Sequence, residues 1–298
     1  MSLINDLMVL TKFRINALAV FTGYAAVVVH GAHATDWSIL LPVMLALLFT
    51  GGCANTLNQV FEVRKDALMY RTRKRRPLPD GRISIRVAWF IAMSQLLAAV
   101  AIQLFMFNSW LAVAGTVFTI LYYSFFYTLF LKPRHHLNIV IGGVPGAMGP
   151  IIAWSMITGN LAAWEPWFMF ALVFLWTPPH AWALAIKLRE DYARANIPML
   201  PVVKGVDETT RQIFFYTIVL VAASLAGPLL SDSLRAGPIY ISLAVAGGLI
   251  FLAWTWRLWK HRPVIPTMPL FTYTLLYISA LFAGLVADAL IFVKVPVL

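Results

Sequence analysis

The sequence predicts an all-α polytopic membrane protein with nine spanning helices, and three observations carry that reading. The first is composition: 61% of the 298 residues are hydrophobic and 12% are charged, too apolar a balance for a water-soluble domain of this length. The second is the apolar stretches, each close to the roughly 20 residues that cross a bilayer. The third is that none of them alternates apolar and polar residues as barrel strands do, so their backbones must close hydrogen bonds within helices.

The stretches lie at about 15–31, 38–61, 86–106, 109–130, 137–157, 164–186, 212–231, 237–259 and 268–293. Residues 1–298 are read as one transmembrane domain. Charged and polar residues in "MSLINDLMVLTKFRINALAVF" run up to Arg14, and the apolar stretch that follows has full spanning length, so it is expected to be a span rather than a cleaved signal. A bacterial inner membrane is the simplest address. Cys53 is the one cysteine, which excludes an internal disulfide and a thiolate metal cluster and leaves it as a small packing residue. The eleven Trp are mostly a membrane-interface signal.

The net charge of +11 invites a nucleic-acid reading, but the distribution of the charge excludes it. Of 23 Lys and Arg, 21 fall on one side of the nine-span layout: at the N-terminus and between spans two and three, four and five, six and seven, and eight and nine. Only Arg235 and Lys294 fall on the other. The positive-inside rule then predicts a cytoplasmic N-terminus and an external C-terminus.

The densest charge follows the second span, in "NQVFEVRKDALMYRTRKRRPLP", Asn58 to Pro79. Asn58, Glu62 and Asp66 recur at four-residue spacing, which places them along one face of a helix. Hard oxygen ligands on successive turns suit Mg²⁺ shared with a substrate's phosphates, and the cations that follow would hold the remaining phosphate oxygens. The alternative is a solvated helix end obeying the positive-inside rule. A second polar stripe occurs in "FLWTPPHAWALAIKLREDYARANIPMLPVVKG", where His180, Lys187 and Asp191 share one helical face. Pro178 and Pro179 are expected to interrupt this sixth span. His180 alone reads either as a hydrogen-bonded interior histidine or as a ligand. Two polar helix ends facing the same compartment predict a site between them.

These stretches, together with "TKFR" at Thr11 to Arg14 and "LNIVIGGVPGAMGPIIAW" at Leu137 to Trp154, resemble the protohaem IX farnesyltransferase (haem O synthase) family, a branch of the intramembrane aromatic prenyltransferases. The resemblance covers nearly the whole chain. It implies a bundle of nine transmembrane helices around a central cavity open near the cytoplasmic face, with the diphosphate held at that mouth. It departs from the wider family at Glu62, where Asp is usual, and at Lys187, which stands in place of the first acid of the second motif. Phe13 replaces a usual Pro, and "RTRKRRPLP" carries one extra basic residue, which leaves the register of its arginines open.

The resemblance implies transfer of farnesyl from farnesyl diphosphate to the 2-vinyl group of haem B, with addition of water, giving haem O. On that basis Asn58, Glu62, Asp66 and Asp191 are expected to hold Mg²⁺ and diphosphate, with Lys187 as a catalytic cation. Arg71 and Arg76 are suited to forked contacts with diphosphate oxygens. Lys132 and Arg134, in a short basic loop with His135 and His136, are candidates for the haem propionates, the alternative being a solvated loop. Asn138, in the stretch from Leu137 to Trp154, is a further substrate-binding candidate. His180 is the candidate axial ligand, since imidazole suits iron. Asp288, inside the ninth span, is either a bundle-facing hydrogen-bonded acid or a functional one. Expected partners are farnesyl diphosphate, haem B, the lipid bilayer and haem A synthase, with no nucleic acid. Rival readings are a prenyltransferase of the same fold acting on a quinone precursor or chlorophyllide, and a transporter. A transporter should carry a polar path through the whole membrane; here the polar residues crowd toward one face.

Overall fold

The structure is a computed structural model, described here for residues 2–230, 232–261 and 267–292. Arg262, Lys294 and the C-terminus assigned to the external side lie outside the described residues. Among the described residues nine helices are long and apolar enough to cross a membrane. Large side chains such as Phe90, Phe105 and Leu229 point outward from them, a surface that hydrocarbon would cover.

A short helix α1 (Leu3–Leu10) precedes α2 (Phe13–His30), and the corner between them is Lys12, with φ 49° in the left-handed region. That conformation is uncommon for a side chain of this size. Next, α3 (Trp37–Leu68) starts at Asp36, whose carboxylate accepts the Ser38 amide N–H at 2.9 Å. It continues to Leu68, past the apolar run, because Arg64, Lys65 and Asp66 are compatible with helix and the loop behind them packs back on it. The stripe of Asn58, Glu62 and Asp66 is therefore helical, as its spacing requires.

The loop from Met69 to Ser84 folds onto α1: Arg82 Nε donates to both carboxylate oxygens of Asp6 at 3.1 and 3.0 Å. After it come α4 (Ile85–Phe105) and α5 (Trp110–Leu121), capped by the hydroxyls of Ser84 and Ser109. The fourth span then changes geometry, running as a π-helix from Tyr122 to Leu131. Such wider turns are rare and concentrate at functional sites.

The fifth span differs from the single helix expected at about 137–157. It is broken into α6 (Asn138–Ile141), α7 (Val144–Ala147) and α8 (Gly149–Thr158). Pro145 and Pro150 donate no amide hydrogen, and Gly142, Gly143, Gly146 and Gly149 stabilise helix poorly. The glycines permit close approach instead. A Cβ on Gly142 would stand 2.2 Å from the Tyr127 ring, and one on Gly149 would stand 2.5 Å from the Ala19 carbonyl oxygen of α2. Small residues of this kind let membrane helices touch where no hydrophobic effect drives them together.

The sixth span corrects the expectation in the other direction. Helix α9 (Glu165–Lys187) runs unbroken through Pro178 and Pro179. Prolines are tolerated in membrane helices where neighbours hold the segment. Here Trp176 Nε1 donates to the Thr274 carbonyl at 2.7 Å, and His180 Nδ1 lies 2.7 Å from the Thr274 hydroxyl. Two short helices, α10 (Arg189–Arg194) and α11 (Leu200–Val203), link α9 to α12 (Gly205–Leu230), and α13 (Pro238–His261) and α14 (Thr267–Ile291) complete the bundle.

Asp288 of α14 is settled as a hydrogen-bonded acid. Its carboxylate accepts the amide N–H groups of Gly237, Ile239 and Tyr240 at 2.8, 3.2 and 2.8 Å. It closes the start of α13, where free amides would otherwise face an apolar interior.

Candidate active site

The spans alternate in direction, so the C-terminal ends of α3 and α9, the end of the π segment and the start of α2 all arrive at one end of the bundle. There Asn58, Glu62 and Asp66 are buried, 1%, 3% and 0% exposed. Buried polar groups require partners, and three parts of the chain supply them: the α1–α2 corner, the π segment with the residue that follows it, and the basic loop.

Lys12, at the α1–α2 corner, donates from Nζ to Asn58 Oδ1 at 2.8 Å and to the Tyr123 hydroxyl at 3.2 Å. Asn58 Nδ2 donates to Thr128 Oγ1 at 3.0 Å. Lys132 Nζ, just beyond the π segment, donates to Glu62 Oε1 at 2.5 Å. From the basic loop, Arg76 Nη1 pairs with Asp66 Oδ2 and lies 3.7 Å from Glu62 Oε2, so one guanidinium serves both acids. Burial pushes the Lys12 pKa well below its ordinary value, and the Arg76 charge pushes the same way. Burial also works against the Arg76 charge, but Asp66 and Glu62 outweigh it and hold its pKa above the ordinary value.

Two acceptors are left over. Glu62 Oε2 and Asp66 Oδ1 are buried and have no hydrogen-bond partner among the described residues. Each acid thus has one oxygen that accepts no hydrogen bond, beside a set of cations. Hard anionic oxygens with no protein donor fit a divalent cation such as Mg²⁺.

Asp191 has other partners. Its two oxygens accept the amide N–H groups of Tyr70 and Arg71 at 3.2 and 3.1 Å, and Arg194 Nη1 donates to it at 3.1 Å. It ties α10 to the start of the basic loop. Among the described residues no three His, Cys, Asp or Glu side chains gather in a way that could hold a metal, so the expected third acid is not brought to the Glu62–Asp66 pair.

The remaining candidates are spread more widely. The Arg71 guanidinium lies 5.9 Å from the centre of the Tyr192 ring, and Lys187 is exposed. Arg134 Nη1 donates to the carbonyls of Leu129 and Phe130 at 2.8 and 3.0 Å, closing the end of the π segment. Asn138 is fully buried; its Nδ2 donates to the His135 carbonyl at 2.7 Å and its Oδ1 has no hydrogen-bond partner among the described residues. His180 stands between the rings of Trp176 and Phe271, 4.2 and 4.3 Å from their centres.

Lys12, Tyr123 and Thr128 stand in the cluster although no site role was read from their sequence positions. Lys12 lies in the "TKFR" motif, which was a usable signal. Tyr123 and Thr128 lie in an apolar span and gave none.

A nine-span bundle that shelters acids and cations together at one end is the architecture of an intramembrane prenyltransferase. The chain belongs to the UbiA prenyltransferase family, which it matches over residues 19–281. It is 39% identical to the protoheme IX farnesyltransferase of Nostoc sp., an alignment covering 94% of this chain and 87% of that one. It is 41% identical to the protoheme IX farnesyltransferase of Rhodopseudomonas palustris, covering 95% and 90%. Among solved structures, a digeranylgeranylglyceryl phosphate synthase has the same fold, with a TM-score of 0.76 at 16% identity over 97% of this chain and 99% of that one. So has a UbiA homologue of Archaeoglobus fulgidus bound to DMAPP and Mg²⁺, with a TM-score of 0.65 at 18% identity over 94% and 99%.

Proposed function

We propose that the protein transfers the farnesyl group of farnesyl diphosphate to the 2-vinyl group of haem B and adds water, giving haem O for a terminal oxidase. The observation that carries the reading is the likeness to protoheme IX farnesyltransferases over almost the full chain. The buried acid and cation cluster supports the chemistry. Prenyl transfer starts when the allylic carbon–oxygen bond breaks, and negative charge then gathers on the departing diphosphate.

Glu62 and Asp66, through the oxygens that lack partners, would hold Mg²⁺, with Asn58 one turn earlier on the same face. Bound there, Mg²⁺ supplies positive charge to the leaving group. Arg76 and Lys132 would turn their remaining donors to diphosphate oxygens. Asp191 holds the backbone at Tyr70 and Arg71 and so fixes the loop that delivers Arg76. The vinyl carbon forms the new bond to the farnesyl carbon; water adds its oxygen to the neighbouring carbon and releases a proton. A quinone precursor or chlorophyllide as acceptor, or a transport role, is not favoured by these relatives.

Haem extracted from cells that carry the gene should contain a species heavier than haem B by one farnesyl group plus one hydroxyl, absent from cells lacking the gene. Equal haem profiles in the two would remove the reading.

The membrane is proposed to be a bacterial inner membrane with the acid cluster on its cytoplasmic face, because the described cations crowd at that end. Reporters fused after Arg82 and after Arg194 should then be cytoplasmic, and one at the C-terminus external. A cytoplasmic C-terminal reporter would mean that the number of spans is even.

A further inference from the structure

Near the acid cluster, a cavity of about 610 Å³ opens between the loop after the π segment and the start of α12. It falls within the size range of small-molecule sites, about 300–1,000 Å³. Its lining combines apolar Leu137, Leu200 and Tyr216 with the cations Lys204 and Arg211 and with Glu208 and Gln212. His136 also lines it, its ring stacked on His135 with centres 4.9 Å apart.

The sequence offered Lys132 and Arg134 as candidates for the acceptor's carboxylates, and the structure gives both of them protein partners. Lys132 is bound to Glu62, and Arg134 to backbone carbonyls. Lys204 makes no side-chain hydrogen bond or ion pair among the described residues, and Arg211, also in the lining, is paired with Glu208 at 2.8 Å. Glu208 in turn accepts from Gln212 at 2.7 Å, which leaves its negative charge shared between two neighbours. A ligand suited to this lining carries anionic groups together with a broad apolar body.

The geometry points to this cavity as the seat of the acceptor's propionate edge, with Lys204 and Arg211 as counter-ions and Leu137, Leu200 and Tyr216 against the tetrapyrrole. The assignment rests on the haem reading above. The position is compatible with transfer: His136 is four residues beyond Lys132, and four residues span at most about 14 Å.

The test uses full-length protein in detergent with farnesyl diphosphate, Mg²⁺ and either haem B or its dimethyl ester. Lys204→Gln with Arg211→Gln should raise KM for haem B about tenfold and leave kcat within about twofold, the pattern of a lost ground-state contact. With the ester, whose propionates carry no charge, the difference between parent and variant should vanish. Should the double variant not fold, Lys204→Gln alone, which breaks no ion pair, should show the same split with a smaller rise. An unchanged KM overturns the assignment, and so does an equal loss on the ester, which would mark the cavity as structural or as a seat for another anion such as a lipid phosphate. If the parent itself does not farnesylate haem B, the functional reading falls and takes this one with it.

Discussion

Replacing Glu62 with Gln, or Asp66 with Asn, should lower turnover on the order of a hundredfold or more. Each change keeps the size of the side chain and its capacity to hydrogen-bond, and removes the charge for which Mg²⁺ would be held. The two acids are not interchangeable in their surroundings. Glu62 is shared between Lys132 and Arg76, whereas Asp66 has Arg76 alone among its side-chain partners. Loss of the Glu62 charge therefore leaves Lys132 without its counter-ion, and loss of the Asp66 charge leaves Arg76 with the more distant Glu62. Both variants should fold, because the neutral amide relieves the cost of burying a carboxylate as well as breaking its pair. The measurement is turnover across a Mg²⁺ titration of the purified variants. Parental turnover with the parental Mg²⁺ dependence in either one would show that these acids do not hold the metal.

Arg76→Met is expected to be as damaging, for a different reason. The one guanidinium answers two buried carboxylates, and without it Asp66 is left with no cationic partner. Removing one member of a buried ion pair costs about 3–5 kcal/mol, much of it the penalty on the charge that remains. A loss of turnover on the order of a hundredfold follows if about 2.7 kcal/mol of that appears in the transition state. Arg76→Lys should recover part of the activity: it restores one positive charge but not a fork that can reach two acids and a diphosphate together. Stability and turnover should be measured side by side on both variants. An Arg76→Met protein that turns over at the parental rate would reduce Arg76 to a bystander.

The parts of this architecture that were legible in the sequence are those written locally. Apolar runs of spanning length marked nine helices, and the spacing of Asn58, Glu62 and Asp66 marked one face of α3. What joins that face to its surroundings is written at long range. Lys12 meets Asn58 across 46 residues and Tyr123 across 111, and no periodicity connects them. The π segment was hidden for another reason, since Tyr122 to Leu131 is as apolar in a π-helix as in an α-helix. Hydropathy windows averaged over the Gly and Pro residues between Leu137 and Pro150, so the breaks of the fifth span passed as continuous helix. At Pro178 and Pro179 the local rule predicted a break that tertiary packing against Thr274 overrode. Asp288 was undecidable alone because its three amide donors begin at Gly237, about fifty residues away.

Asp191 shows how a polar stripe can be read from spacing without its partners being known. Its spacing from His180 and Lys187 placed it on one helical face with them, but Leu188 ends α9, and the new helix α10 redirects the carboxylate toward the loop behind α3. Its effect on the acid cluster runs through the backbone of that loop.

The most direct measurement is a mass spectrum of the porphyrin product when purified protein is incubated with haem B, farnesyl diphosphate and Mg²⁺. The expected product carries the mass of one farnesyl group and one added hydroxyl on haem B, with release of one diphosphate per haem converted and no product when Mg²⁺ is chelated. Unmodified haem B alongside a prenylated hydroxybenzoate in a parallel incubation would contradict the assignment of the acceptor.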